Sequence, residues 1–304
     1  MSFDTVPPPR HASITADAAR ALVAAQAPEF ADLPIGGHSE GWDCAMFRLG
    51  DELAVRLPRT ASAVRFLLAE TRWVPELGTN WDFPYPEFPF VGEPGEGYPW
   101  PWAIVSWLPG EMAVDVPLLA SEGAVLGRAL AQVHTLAPAE APINVEQSIP
   151  LKEREEKTLV RIDLLSRRGG PEGERLDAGA ALEVWAAAQG LADPPREEWV
   201  WSHADLHGGN VISHAGRFGG IADWGSMAAC DPAVDLGFAY SLMPGAGVAA
   251  VFTEYGKLTG RVDSELVARA RAIGLAKCVG IAMVERPQTR AMGWRGLEAL
   301  GLAR

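Results

Sequence analysis

Asp205, Asn210 and Asp223 are the side chains of this chain best suited to act together. Asp205 lies five positions before Asn210, in the run His203-Ala204-Asp205-Leu206-His207-Gly208-Gly209-Asn210. Asp223 follows Asn210 by thirteen positions, behind an apolar, strand-like run. Phosphoryl transfer needs such a set: a carboxylate beside the acceptor hydroxyl, and an amide with a second carboxylate holding Mg²⁺ on a nucleotide's phosphates. Asp205 is the candidate base. Asn210 and Asp223 are the candidate metal pair, because Mg²⁺ takes hard oxygen ligands, commonly one or two carboxylates with phosphate and water. Each residue also has a plainer reading. Asp205 and Asn210 suit loop turns, and Asp223 suits a strand end. Asp and Asn at that spacing are a weak signal alone. The third acid and the flanking strands favour the chemistry.

These groups need elements to position them. Residues 199–201, 211–213 and 218–222 read as short strands framing the loop. Upstream, Thr15 caps a helix over 16–26. Residues 33–58 read as strand, turn, strand, with a hairpin turn at Gly50-Asp51. Thr60 caps a second helix over 61–74. Residues 80–100 are rich in Pro, Gly and aromatics and read as loops around short strands, and 102–107 is a further strand. Leu108-Pro109-Gly110-Glu111 breaks the chain as a hinge. Helical periodicity then covers 117–136, 150–168, 178–189, 231–242, 247–257, 263–284 and 293–302. A strand-rich first third and a helix-rich remainder make an α+β layout.

The motifs resemble a known family. His203-Ala204-Asp205 with Asn210, Asp223-Trp224, and Asp231-Pro232-Ala233-Val234-Asp235 are similar to those of the aminoglycoside and macrolide phosphotransferases, the kinase-like antibiotic phosphotransferases. The family pattern is His-Gly-Asp, four residues, Asn; then Ile-Asp-Trp; then Asp-Pro-Ala-x-Asp. The resemblance implies a protein-kinase-like two-lobed fold, with a small nucleotide-binding lobe over 1–106 and a larger helical catalytic and acceptor-binding lobe over 107–304. It implies ATP or GTP as phosphoryl donor, bound between the lobes, and Mg²⁺ as cofactor. The acceptor is a small-molecule hydroxyl, on an aminoglycoside-like or other hydroxylated antibiotic or metabolite.

Further roles follow from the resemblance. Asp235 braces the catalytic loop from a buried helix start and His203 packs behind that loop; His207, read from its own position, stabilises the loop or contacts phosphate. Arg56 stands where kinases carry a phosphate-contacting lysine, held by a helix glutamate, here Glu70. The arginine fork still suits phosphate. The phosphate-covering turn falls at Gly37-His38-Ser39-Glu40-Gly41-Trp42, where Gly37, Ser39 and Gly41 offer backbone N–H groups. Main-chain groups of Ser106 and Leu108 take the base. Ala204 replaces the family glycine, a small change, and Gly225 follows Trp224 where many relatives carry an acid. Agreement is carried by 203–235 and is weaker over 36–111. Segments 140–198 and 240–304 match nothing, and their acidic residues are expected to line the acceptor side.

Composition narrows the partners. The net charge of −13 is spread as −7 over 1–106 and −6 over 107–304, so it argues against nucleic acid and anionic membranes without marking an acidic pocket. Cys44, Cys230 and Cys278 show no paired spacing, which fits a reduced, cytoplasmic protein. Residues 1–10 hold no apolar signal segment, and no apolar run approaches the roughly 20 residues of a membrane helix. The 11 tryptophans suit packing, with a few lining a cleft. Two other readings stay open. His203-x-Asp205-x-His207 suits a metallohydrolase, but leaves Asn210 and Asp223 idle. A nucleotide-binding pseudokinase is hinted at only by Arg56 in the lysine place.

Overall fold

The computed structural model describes residues 14–41 and 43–304, without the Glu40 side chain. Readings that fall on residues 1–13 and on Trp42 lie outside the described residues. The chain packs as two compact units.

One unit comprises the described residues up to Asn80, with Pro84–Pro109 and Ala222–Ser226. Helix α1 (Ala16–Gln26) begins at Thr15, whose hydroxyl accepts the Ala18 N–H at 3.1 Å. Then come β1 (Ile35–Glu40), β2 (Cys44–Leu49), β3 (Leu53–Pro58), α2 (Ala61–Leu77), β4 (Phe90–Gly92) and β5 (Trp102–Ser106). The sheet is antiparallel in the order β1-β2-β3-β5-β4. Side chains alternate along a strand, so β3 serves two faces. Val55 and Leu57 pack with Leu22, Val23, Phe47, Trp102 and Ile104 on the α1 side. Ala54 packs with Ala103, Val105 and Leu67 of α2 on the other. Arg56 shares the face of Ala54 and so meets α2, where Glu70 lies one turn beyond Leu67.

The other unit comprises Trp81–Phe83, Gly110–Ile221 and Met227–Arg304. It holds β6 (Glu111–Met112), α3 (Gly123–Val133), α4 (Glu155–Arg168), α5 (Ala178–Gln189), β7 (Val200–Ser202), β8 (Val211–His214), β9 (Arg217–Ile221) and β10 (Ala228–Cys230). Helices α6 (Ala233–Leu242), α7 (Gly245–Thr259), α8 (Ser264–Ile281) and α9 (Pro287–Ala299) follow. Strands β6-β8-β9 form one sheet, and β7 pairs with β10. Helix α6 is buried along its whole length and packs against α7, α8 and α9. It crosses α8 backbone to backbone: a Cβ on Gly237 would lie 2.9 Å from the Gly274 nitrogen. Any larger residue at either position would push the helices apart.

Two helices start later than periodicity suggests. Residues 117–119 are apolar, yet the Leu118 and Leu119 N–H groups bond to Leu242 and Gly216 carbonyls. Tertiary bonds hold that segment outside α3, and a short turn, Ala120–Glu122, intervenes. A similar turn, Leu151–Arg154, precedes α4. Helix α9 starts earlier than expected, with Pro287 in its first turn, a position that tolerates a missing N–H. Trp102, Trp185, Trp224 and Trp294 are wholly buried. Among the described residues no helix is long and apolar enough to cross a membrane.

Helix α2 carries Glu70, so its start matters to the site. The buried Thr60 hydroxyl accepts the Ala63 N–H at 3.2 Å. Thr60→Ala should lower unfolding free energy by about 1 kcal/mol, read as a lower urea midpoint with an unchanged slope. Thr60→Ser should restore most of it.

Candidate active site

The loop between β7 and β8 is organised by a carboxylate it does not contain. Asp235, in the first turn of α6, is fully buried. Its Oδ2 accepts the His203 N–H at 2.7 Å, and its Oδ1 accepts the Ala204 N–H at 2.9 Å. His134, at the end of α3, sets Nε2 3.2 Å from Oδ2 and Nδ1 3.0 Å from the Tyr255 hydroxyl of α7. These bonds hold Ala204 at φ +66, a left-handed conformation that costs a side-chain-bearing residue roughly 1–2 kcal/mol. The alanine in the family's glycine place is therefore strained, not the neutral change the sequence suggested.

Past Ala204 the loop closes on itself. The Asp205 N–H donates to His203 Nδ1 at 3.2 Å, and the Gly209 N–H donates to His207 Nδ1 at 2.9 Å. Both imidazoles thus use a ring nitrogen on the loop backbone. Among the described residues no three His, Cys, Asp or Glu side chains group to hold a metal. The Asn210 amide nitrogen donates to the Asp205 carbonyl at 2.9 Å and lies 3.4 Å from its Oδ2. That fixes the amide orientation and turns its oxygen away as a possible cation ligand. The Asp205 side chain is 41% exposed, with His207 Nε2 3.5 Å from Oδ2. Desolvation opposes its charge, but His207, His203 and Lys277 outweigh it and bring its pKa down to about 2. Asp205 is thus an accessible, ionised carboxylate. Lys277 of α8 is among the charges that act on Asp205.

In the strand-rich unit, Arg56 is the hub. Its Nη1 lies 2.5 Å from Glu70 Oε2, its Nη2 2.8 Å from Asp223 Oδ1, and its Nε 3.5 Å from Cys44 Sγ. Arg56 and Glu70 are buried. The second oxygen of Glu70 accepts the Trp224 N–H at 3.0 Å. Burial opposes the arginine's charge, but Glu70, Cys44 and Asp223 push its pKa above the ordinary value. Asp223 sits at φ +57, which aspartate tolerates better than most residues, and its side chain is 52% exposed. One oxygen meets Arg56 and the other is open. Gly225 is glycine because α2 is too close: a Cβ there would lie 2.8 Å from Phe66 Cβ.

The phosphate-covering turn needs correction. Gly37 and Ser39 lie in β1, paired with β2 across a bulge between Gly36 and His38. Gly41 closes the turn instead, but its N–H is already bonded to the Cys44 carbonyl at 2.9 Å. At the break after β5, the Ser106 N–H is bonded to the Glu87 carbonyl at 2.9 Å. The Leu108 main-chain groups make no hydrogen bond among the described residues.

The family model of the phosphotransferase enzyme family (APH) matches residues 35–272. The chain belongs to the phosphotransferase enzyme family. No curated protein matches it. Among solved structures, the GDP complex of wild-type aminoglycoside 2′-phosphotransferase-IIIa is 16% identical, over 92% of this chain and 95% of that one, with a TM-score of 0.60. Macrolide 2′-phosphotransferase MphH from Brachybacterium faecium is 20% identical, over 90% and 97%, with a TM-score of 0.57. A streptomycin–ATP ternary complex of APH(2″)-IIa is 14% identical, over 91% and 94%, with a TM-score of 0.52. At these identities the likeness is one of fold, and it agrees with the kinase-like α+β reading.

Sequence reasoning missed three residues of this phosphotransferase. His134 and Tyr255 complete the Asp235 network, yet no local motif marks either. Lys277 sits in a helical pattern where a lysine usually marks a solvated face.

Asp235→Asn places an amide where two loop N–H groups need an acceptor. It should cost about 2–3 kcal/mol in urea unfolding. Ala204→Gly should raise stability by up to about 1 kcal/mol, since relieved strain exceeds the entropy glycine adds to the unfolded chain.

Proposed function

We propose that this phosphotransferase moves the γ-phosphoryl group of ATP or GTP onto a hydroxyl of a small molecule. The observation that carries the reading is Asp205, half exposed and ionised on a loop whose polar groups are otherwise occupied. Its carboxylate accepts a hydrogen bond from the acceptor hydroxyl. As the acceptor oxygen bonds to the γ-phosphorus, the bond to the β,γ-bridging oxygen breaks. The acceptor proton then moves to Asp205. A pKa of about 2 suits a group that orients the hydroxyl and takes its proton late, as a loose transition state requires.

The strand-rich unit supplies phosphate recognition. Arg56, braced by Glu70, offers charge that a triphosphate needs, and the open main-chain groups of Leu108 suit a nucleobase edge. Asn210 and Asp223 fit Mg²⁺, since each presents a hard oxygen whose neighbour is already bonded elsewhere. When bound with nucleotide, the ion offsets charge on the phosphate oxygens. The helical unit bears Asp205 and takes the acceptor. Three free, buried thiols suit the reducing cytoplasm.

Asp205→Ala should reduce phosphorylated product by roughly 10²–10⁴-fold while calorimetry still detects nucleotide binding. Product is read by mass spectrometry over a panel of hydroxyl compounds with ATP and with GTP. Near-parental turnover in the variant would remove Asp205 from the reaction. Asp223→Asn should weaken binding of nucleotide with Mg²⁺ and leave metal-free binding nearly unchanged, because a hard cation loses an anionic ligand. Equal losses with and without the ion would take Asp223 out of the metal pair.

A further inference from the structure

The loop between β7 and β8 is held in its second half as well as its first. Past Asp205 it runs beside the segment that follows β6. The Val114 N–H donates to the Gly208 carbonyl and the Ala113 N–H to the Val211 carbonyl, each at 2.8 Å. Asn210 lies between these two bonds, and its own N–H closes a turn on the His207 carbonyl at 2.9 Å. The Gly208 N–H points the other way and donates to Met292 Sδ of α9 at 3.2 Å. Three residues further along α9, on the same side of the helix, Arg295 Nη2 donates to the Val114 carbonyl at 3.2 Å. The contacts close a ring: α9 to Gly208, Gly208 to Val114, and Val114 back to α9.

The ring leaves no slack. A Cβ on Gly208 would lie 2.7 Å from the Val114 nitrogen and 2.8 Å from Met292 Sδ, so only glycine fits between them. Helix α9 is seated as closely on its neighbour. A Cβ on Gly293 would run into the Ala282 nitrogen at the end of α8, and one on Gly296 into Cys278 Sγ within α8. Met292 is 1% exposed, and leucine would fill nearly the same space. Apolar packing therefore does not call for sulfur at this place. A buried N–H does call for an acceptor, and Gly208 is buried; the thioether supplies a weak one. The family match ends at residue 272, short of α9.

We propose that α9, through Met292 and Arg295, is the positioning element for Asn210 as a metal ligand. Neither side chain meets a reacting atom; both act through Gly208 and Val114. The inference rests on the reading that Asn210 holds Mg²⁺. Without the sulfur the Gly208 N–H loses its acceptor, and residues 208–210 gain freedom. The Asn210 amide oxygen then faces the cation for less of the time. The loss falls on the metal-dependent part of nucleotide binding, because the turn that carries the ligand is what loosens.

The test uses the full chain, the variants Met292→Leu, Arg295→Met and Arg295→Lys, and ATP or GTP as the probe. In Met292→Leu, hydrogen exchange at the Gly208 amide should quicken about fivefold, the equivalent of roughly 1 kcal/mol, while amides in α6 and α8 keep their protection. Calorimetry should show Met292→Leu and Arg295→Met binding nucleotide severalfold more weakly with Mg²⁺ and as the parent does without it. Arg295→Lys keeps a donor for the Val114 carbonyl and should restore most of the Mg²⁺-dependent affinity. A merely structural role would weaken binding equally with and without the ion. That result overturns the proposal, as does unchanged exchange at Gly208 or parental Mg²⁺-dependent binding in both Met292→Leu and Arg295→Met. Asn210→Ala separates the two levels. If it leaves the Mg²⁺ dependence intact, the metal reading fails and the positioning role with it; if it removes the dependence while Met292→Leu and Arg295→Met keep it, only the positioning role fails.

Discussion

A carboxylate buried away from solvent must find donors, and Asp235 finds them in the loop that carries Asp205. Its two oxygens take the His203 and Ala204 N–H groups, with His134 as a further partner. Losing any donor would leave charge in a low-dielectric interior, at a cost of several kcal/mol. The loop therefore has one conformation it can afford. Ala204 is held left-handed as a consequence, and the next residue, Asp205, is turned outward while its own N–H folds back on His203.

Arg56 plays the corresponding part in the strand-rich unit. Lysine offers one compact charge, whereas the guanidinium fork meets several acceptors in one plane. Here it reaches Glu70, Asp223 and Cys44 together. The difference from the kinase lysine is thus one of geometry as well as identity. Because Glu70 also accepts the Trp224 N–H, α2, β3 and the segment around Asp223 share one polar network. Residues 222–226 belong to the same unit as α2 although they lie far along the chain. The β-strand period puts Arg56 on the α2 face, and the close contact at Gly225 leaves no room for a side chain between them.

The two networks differ in their relation to stability. The Asp235 network matches each buried acceptor oxygen with donors and ties α3, α6 and α7 to the loop. Lys277 does the opposite: burial disfavours its charge and lowers its pKa to about 7.

Much of this was legible in the sequence. The spacing of Asp205, Asn210 and Asp223 pointed to phosphoryl transfer, and the family model bears out that reaction class. Thr15 and Thr60 marked helix starts, because hydroxyl caps act within one turn. The shift from alternating to helical periodicity marked the fold. What the sequence left undecided depended on distant segments. Leu118 and Leu119 look helical until the Leu242 and Gly216 carbonyls claim their N–H groups. Gly37 and Ser39 look like a turn until β1 pairs with β2, with Gly37 at a bulge and Ser39 opposite Met46. The strain at Ala204 and the partnership of His134 with Asp235 come from residues tens of positions apart. Local propensity and spacing report on forces within a few residues; burial, hydrogen-bond satisfaction and electrostatic fields arise only when remote segments pack, and those were settled by the tertiary structure.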